Sequence, residues 1–225
     1  MVAKENNGTP FVIVIFALLL AAVMSLSPSD AAEEPNLDHW AKVLVNGKAD
    51  TPMRLEAARK LGESKDPRYL EVLTRTLKDD KKPVRWAAVE ALWDLGDKNA
   101  VPSLIEYLDK RETYQWGKIL TMNALGSLRD SRAVDSLLRK LKNENPFLRR
   151  SAALALVQIG DKRAIPGIIG LLNDKEGWLK RLAQGLLFKL TKGKFSGEPP
   201  RGYEAWLKWY RRRGQHLRIK AGKRK

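Results

Sequence analysis

Apolar residues in the stretch Val84–Leu108 fall on two short helical stripes. Val84, Ala88, Ala91, Leu92 and Leu95 stand at i, i+4, i+7, i+8 and i+11, one face of an α-helix. Gly96 follows, a residue that accepts the left-handed conformation at a helix end. Asp97 comes next, with a carboxylate able to cap a second helix. Val101, Leu104, Ile105 and Leu108 then give i, i+3, i+4 and i+7, and Pro102 sits in that helix's first turn, where a missing N–H costs little. Leu148, Ala152, Ala155, Leu156 and Ile159 repeat the pattern, followed by Gly160-Asp161 and by Ile165, Ile168, Ile169 and Leu172.

The hairpin recurs. Leu61, Leu92, Leu125, Leu156 and Leu187 form one column at spacings of 31, 33, 31 and 31 residues. Asp66, Asp97, Asp130 and Asp161 form a second, and Arg54, Arg85, Lys118, Arg149 and Lys180 a third. A period of this length denotes stacked supersecondary units, none able to bury its apolar face alone. The first unit departs at Gly62 and Lys65. The third is the least regular, with Gly117 at an apolar position and two extra residues, Tyr114-Gln115, before it. Asn36–Val45 predicts a lone helix over the first hairpin. Near the other end Tyr203, Trp206, Leu207 and Tyr210 predict a helix that closes the last one, an aromatic binding platform being the alternative reading. The two charged columns read as framework, because a repeated residue serves each unit alike, whereas a site is local.

The best-formed unit is similar to the short HEAT-like repeats of the phycocyanobilin lyase class. Val84, Arg85, Ala88, Ala91, Leu92, Gly96, Asp97, Ala100, Val101, Pro102, Leu104, Ile105 and Leu108 match that pattern. The resemblance runs from about Pro52 to Leu190. The segment with Leu190-Thr191, Phe195, Trp206 and Trp209 resembles the closing segment of many bacterial HEAT-repeat proteins. The fold this implies is all-α: a right-handed α-solenoid of about five hairpins. Such proteins include lyases, DNA-binding proteins and adaptors, so the resemblance speaks to fold and not to function.

Phe11–Met24 is an unbroken apolar run of 14 residues, too short for a comfortable span and suited to a signal-peptide core. Ser29-Asp30-Ala31 offers small residues for cleavage after Ala31. The expected organisation is a signal peptide or membrane anchor at 1–31, a capping helix within 32–51, repeats over 52–195, a C-terminal capping helix over 196–213 and a basic tail at 214–225. The protein is expected outside the cytoplasm, periplasmic or secreted, or held at the membrane by an uncleaved first segment.

The net charge of +16 calls for an acidic partner. Ten lysines and arginines lie between Pro199 and Lys225 against Glu204 alone. Arg211, Arg212, Arg213, Lys223, Arg224 and Lys225 are therefore candidates for holding an anionic polymer or a membrane surface. The non-core positions of the second helices, among them Arg75, Glu106, Tyr107, Arg139 and Lys142, are the candidates for a protein partner. Their mixed signs count against a phosphate backbone.

No chemistry-bearing motif appears. There is no cysteine, so thiol catalysis and thiolate metal sites are excluded. His39 and His216 are far apart and lack the His-Glu pairs of the deoxyhypusine hydroxylases, which are built from related repeats. No phosphate-binding glycine loop occurs. The reading is an exported, non-catalytic protein-interaction scaffold that binds another protein, with no cofactor or metal; nucleic acid and small-molecule substrates are not expected. Binding of an anionic polymer or membrane surface by the tail is the first alternative. A lyase-like or accessory enzyme is the second, and a pocket of converging polar groups would support it.

Overall fold

The computed structural model describes residues 36–110, 114–191 and 199–218, the last with side chains as far as Arg212. The expected export segment and Lys223–Lys225 lie outside the described residues. From Leu37 onward the described residues belong to one compact unit.

That unit is an all-α solenoid. Helix α1 (Leu37–Val45) precedes four hairpins: α2 (Thr51–Glu63) with α3 (Leu70–Thr76), α4 (Lys82–Leu95) with α5 (Val101–Asp109), α6 (Gln115–Leu128) with α7 (Val134–Lys140), and α8 (Pro146–Ile159) with α9 (Ala164–Gly170). Helices α10 (Gly177–Thr191) and α11 (Tyr203–Arg218) complete it. The first helices pack side by side in chain order, α2 on α4, α4 on α6, α6 on α8 and α8 on α10. Each second helix lies against the first helix of the next hairpin.

The leucine column is the centre of the core: Leu61, Leu92, Leu125, Leu156 and Leu187 are all completely buried. Small residues let the first helices approach. A Cβ on Gly126 would stand 2.9 Å from the Cα of Ala155, so the helices meet backbone to backbone there.

The aspartate column caps. Asp66, Asp97, Asp130 and Asp161 each accept a hydrogen bond from the backbone N–H two residues on, at 2.8–3.0 Å. This satisfies a donor that the turn leaves open. The residue just before each of these aspartates is left-handed: Gly96 and Gly160 at φ 74° and 76°, Lys65 and Arg129 at 56° and 50°. Two units thus hold this turn with a side chain that disfavours it.

Two arginines of the basic column, Arg149 and Arg54, tie the segments that flank their hairpins together. Arg149 Nη1 donates to the carbonyls of Asn143 and Glu144, both 2.8 Å away. Its Nε and Nη2 fork onto the two oxygens of Asp174 at 2.7 and 2.6 Å, in a pair only 7% exposed on each side. Arg54 forks onto Asp79, also 25 residues on, through Nη1 and Nη2, and its Nε reaches the Leu44 carbonyl at 2.8 Å. At the far end Trp206 of α11 is fully buried, α11 lies on α9, and the Trp206 indole N–H donates to Gln184 Oε1 at 3.1 Å.

Candidate functional site

A concavity lies on the first-helix face. It is an open groove of about 770 Å³ floored by α2, α4 and α6. Trp86 and Trp93 come from α4, Trp116 from α6, and Leu55 and Arg59 from α2. Trp93 and Trp116 are exposed large aromatics, Trp116 at 59%. They point outward because positions on this face lie off the buried stripe of each helix, where nothing in the solenoid covers them. Aromatic walls around a few polar groups are the usual make-up of a small-molecule site, and the volume lies in the usual range.

The polar groups are mostly acidic: Glu56, Glu63, Glu90 and Asp94. Arg59 is clamped between two of them, with Nε 2.9 Å from Glu56 and Nη1 2.7 Å from Glu63. The hydrogen bond from Arg59 holds the Glu56 carboxyl below its ordinary range, and the two glutamates raise the guanidinium in turn. The groove therefore offers carboxylate acceptors beside a flat aromatic surface. Such a site suits a planar, conjugated ligand with N–H donors.

Gly117 explains the irregular third unit. A Cβ there would lie 2.9 Å from Trp86 Nε1 and 3.0 Å from the Tyr107 hydroxyl. The missing side chain lets Trp86 from the first-helix face and Tyr107 from the second-helix side both close onto the α6 backbone.

The candidates named from sequence divide. Arg75, Glu106 and Tyr107 line one smaller cavity of about 230 Å³. Within it Tyr107 is buried, Arg75 pairs with Glu71 at 3.1 Å, and Glu106 lies between Lys78 and Lys110 at 3.7 and 3.4 Å. Arg139 is elsewhere, paired with Asp109 at 2.6 Å, and Lys142 is exposed beyond it. Asp109 also accepts from Ser136 and Lys140; burial pushes its carboxyl up, but these three donors outweigh that and hold it below the usual range. Arg211 and Arg212 are exposed on α11 beside Lys208. Arg213 has no described side chain, and Lys223, Arg224 and Lys225 lie outside the described residues. The groove tryptophans were not among the candidates. The available signal was three tryptophans at positions where the helical stripe requires no apolar residue.

The family model for HEAT repeats matches residues 37–117 and 111–187. The chain belongs to the HEAT-repeat family. This HEAT-repeat protein is 23% identical over 185 residues to the bilin biosynthesis protein PecE of Mastigocladus laminosus, covering 64% of its own length and 68% of the relative's. Its fold is similar to a chain in the complex of CpcE and CpcF of phycocyanin lyase from Nostoc sp. PCC7120, with a TM-score of 0.60, 24% identity and coverage of 73% and 68%. An engineered protein shares the fold at a TM-score of 0.50, with 20% identity and coverage of 70% and 80%.

These likenesses overturn the reading of the chain as a non-catalytic scaffold that takes no small molecule. The proteins it resembles are a bilin biosynthesis protein and a lyase subunit. The physical reason for the error is plain. A groove assembled from three helices of successive repeats leaves no local motif in the sequence.

Proposed function

We propose that this HEAT-repeat protein is a bilin-handling subunit of the lyase type, which binds a linear tetrapyrrole in the first-helix groove and acts together with a second protein. The observation that carries this reading is the groove of Trp86, Trp93 and Trp116 with its carboxylate rim, in a chain similar to a bilin biosynthesis protein. A linear tetrapyrrole is a flat conjugated chain with pyrrole N–H donors, and tryptophan faces with carboxylate acceptors are complementary to it. The chain has no cysteine, so it cannot hold such a ligand through a thioether of its own. Its part is to orient the ligand and release it to an acceptor.

The protein partner follows from the relative that is seen as a complex of two different subunits. The second-helix face, with Arg75, Glu106, Arg139 and Lys142, is the surface we assign to it. We also retain the apolar run Phe11–Met24 as an export signal or anchor, which amino-terminal sequencing of the mature protein checks directly.

The decisive experiment is titration of the purified protein with biliverdin, followed by visible circular dichroism. A bound, twisted tetrapyrrole gives induced dichroism that saturates at one ligand per chain. Absence of any induced signal with protein in excess sinks the proposal.

A further inference from the structure

Among the described residues, Arg85 lacks the aspartate partner that Arg54 and Arg149 have. Arg54 and Arg149 each fork onto an aspartate 25 residues on, Asp79 and Asp174. Counted from Arg85, that position is Lys110. Arg85 keeps the other half of the pattern: its Nη1 donates to the carbonyls of Asp79 and Asp80, the latter at 2.9 Å, as Arg149 Nη1 donates to Asn143 and Glu144. Anchored in the same way, Arg85 presents the same Nε and Nη2 edge that in Arg149 meets a carboxylate. Among the described residues nothing accepts from that edge.

Arg85 lines a cavity of about 350 Å³ together with Lys78, Lys110 and Tyr107. Two acids lie on its wall, and a third, Glu106, stands 3.7 and 3.4 Å from the ammonium groups of Lys78 and Lys110 on the neighbouring side. Asp79 is already engaged by Arg54 and by the Lys81 N–H at 2.9 Å, and Asp80 is exposed. The local field is positive on independent grounds. Lys82 sits 3.6 Å from the ring centroid of Tyr114, and its hydrogen bond and charge, with a further contribution from Arg85, hold the Tyr114 phenol below its ordinary value. A fork of two N–H donors beside two ammonium groups is built for a carboxylate.

We propose that Arg85, Lys110 and Lys78 form a receptor for a carboxylate supplied from outside the chain, occupying the position that repeats 1 and 4 fill with Asp79 and Asp174. The source that the chain's proposed function supplies is a propionate of the linear tetrapyrrole, and in that respect the assignment rests on that reading. The first-helix groove, with its acidic rim, is poorly suited to propionates. Arg85, the residue before Trp86 in α4, supplies a basic position apart from that rim.

Lys110→Asp is the informative variant, because it restores the internal aspartate in register and leaves Arg85 in place. Binding of biliverdin and of its dimethyl ester is measured for the wild type and this variant, alongside an acetate titration followed at the Arg85 Nε–H resonance. The wild type is expected to prefer the free acid about tenfold, and Lys110→Asp to lose that preference while still binding the ester. Acetate is expected to shift the Arg85 resonance in the wild type only. Equal preference in both proteins overturns the proposal. So does an Arg85 Nε–H resonance that acetate leaves unmoved in the wild type. An acetate shift lost in Lys110→Asp, in a protein that binds neither tetrapyrrole, keeps the carboxylate receptor and overturns the bilin reading instead.

Discussion

Gly62 packs on the backbone of Ala91 so closely that a Cβ added to Gly62 would lie 2.6 Å from the Ala91 Cα and 2.7 Å from its carbonyl oxygen. Neither atom can move without shifting a helix. Gly62→Ala is therefore expected to destabilise by about 2 kcal/mol, overpacking outweighing the better helix propensity of alanine. Gly185 in α10 is the control, exposed and with no atom within 4 Å of an added Cβ. Gly185→Ala should stabilise by about 0.5–1 kcal/mol. Urea melts of both variants settle the contrast, and equal effects would contradict it.

Arg129 holds a left-handed turn position that glycine occupies in the second and fourth hairpins, and its side chain is exposed. Arg129→Gly is expected to raise stability by about 0.5–1 kcal/mol, because relief of backbone strain exceeds the extra freedom of the unfolded chain. Lys65 is a poorer choice, since its ammonium is bonded to the Asp94 carbonyl. A lower midpoint for Arg129→Gly in thermal denaturation would show that the arginine contributes more than its conformation costs.

The Arg149–Asp174 pair sets an acid limit. Burial pushes the Asp174 carboxyl up, but the hydrogen bonds from Arg149 and from the Glu176 N–H prevail and leave it below its ordinary value. Asp79 is lowered in the same manner by Arg54 and the Lys81 N–H. A depressed carboxylate contributes stability that is fully present above the unfolded value of about 3.9 and is lost as pH falls through the folded value. Stability should therefore be level from neutral pH to about pH 5 and decline below about pH 4. Arg149→Met, which strands a buried carboxylate, should cost about 3–5 kcal/mol at neutral pH and flatten that decline. Denaturant midpoints measured between pH 3 and pH 7 give both numbers.

Trp116 is the most exposed of the groove tryptophans and has the least to do with folding. Trp116→Ala is expected to weaken tetrapyrrole binding by about tenfold, the equivalent of roughly 1.4 kcal/mol of lost stacking. Far-ultraviolet dichroism and the melting temperature should hardly change. Undiminished binding would remove Trp116 from the site.

Much of this architecture is legible in the sequence, because each hairpin states the same rules again. The leucine column reads as core, and the aspartates read as caps from their place after a glycine or its substitute. Arg54 and Arg149 read as framework, although their shared reach of 25 residues to an aspartate becomes visible only in the structure. Gly117 reads as a defect, yet it is where Trp86 and Tyr107 converge. The groove was missed for a geometric reason. The variable positions legible in the sequence are those of the second helices, whereas Trp86, Trp93 and Trp116 belong to first helices whose buried side is otherwise so regular. Which face of a stack is open depends on how closely successive helices approach, and Gly62 against Ala91 decides that through space.

The arginine bonds between hairpins have a direction. Arg54 donates back to the Leu44 carbonyl, Arg85 to those of Asp79 and Asp80, Arg132 to Lys98, Arg149 to Asn143 and Glu144, and Arg163 to Ser131. In each of these bonds to a backbone carbonyl the acceptor precedes the donor in the chain, whereas the carboxylate forks of Arg54 and Arg149 run forward. A ribosome delivers residues in that same order, at roughly 5–20 per second. Each hairpin, as it emerges, finds its carbonyls already in place on the one before, so the stack can grow like masonry, course upon course, without waiting for the end of the message.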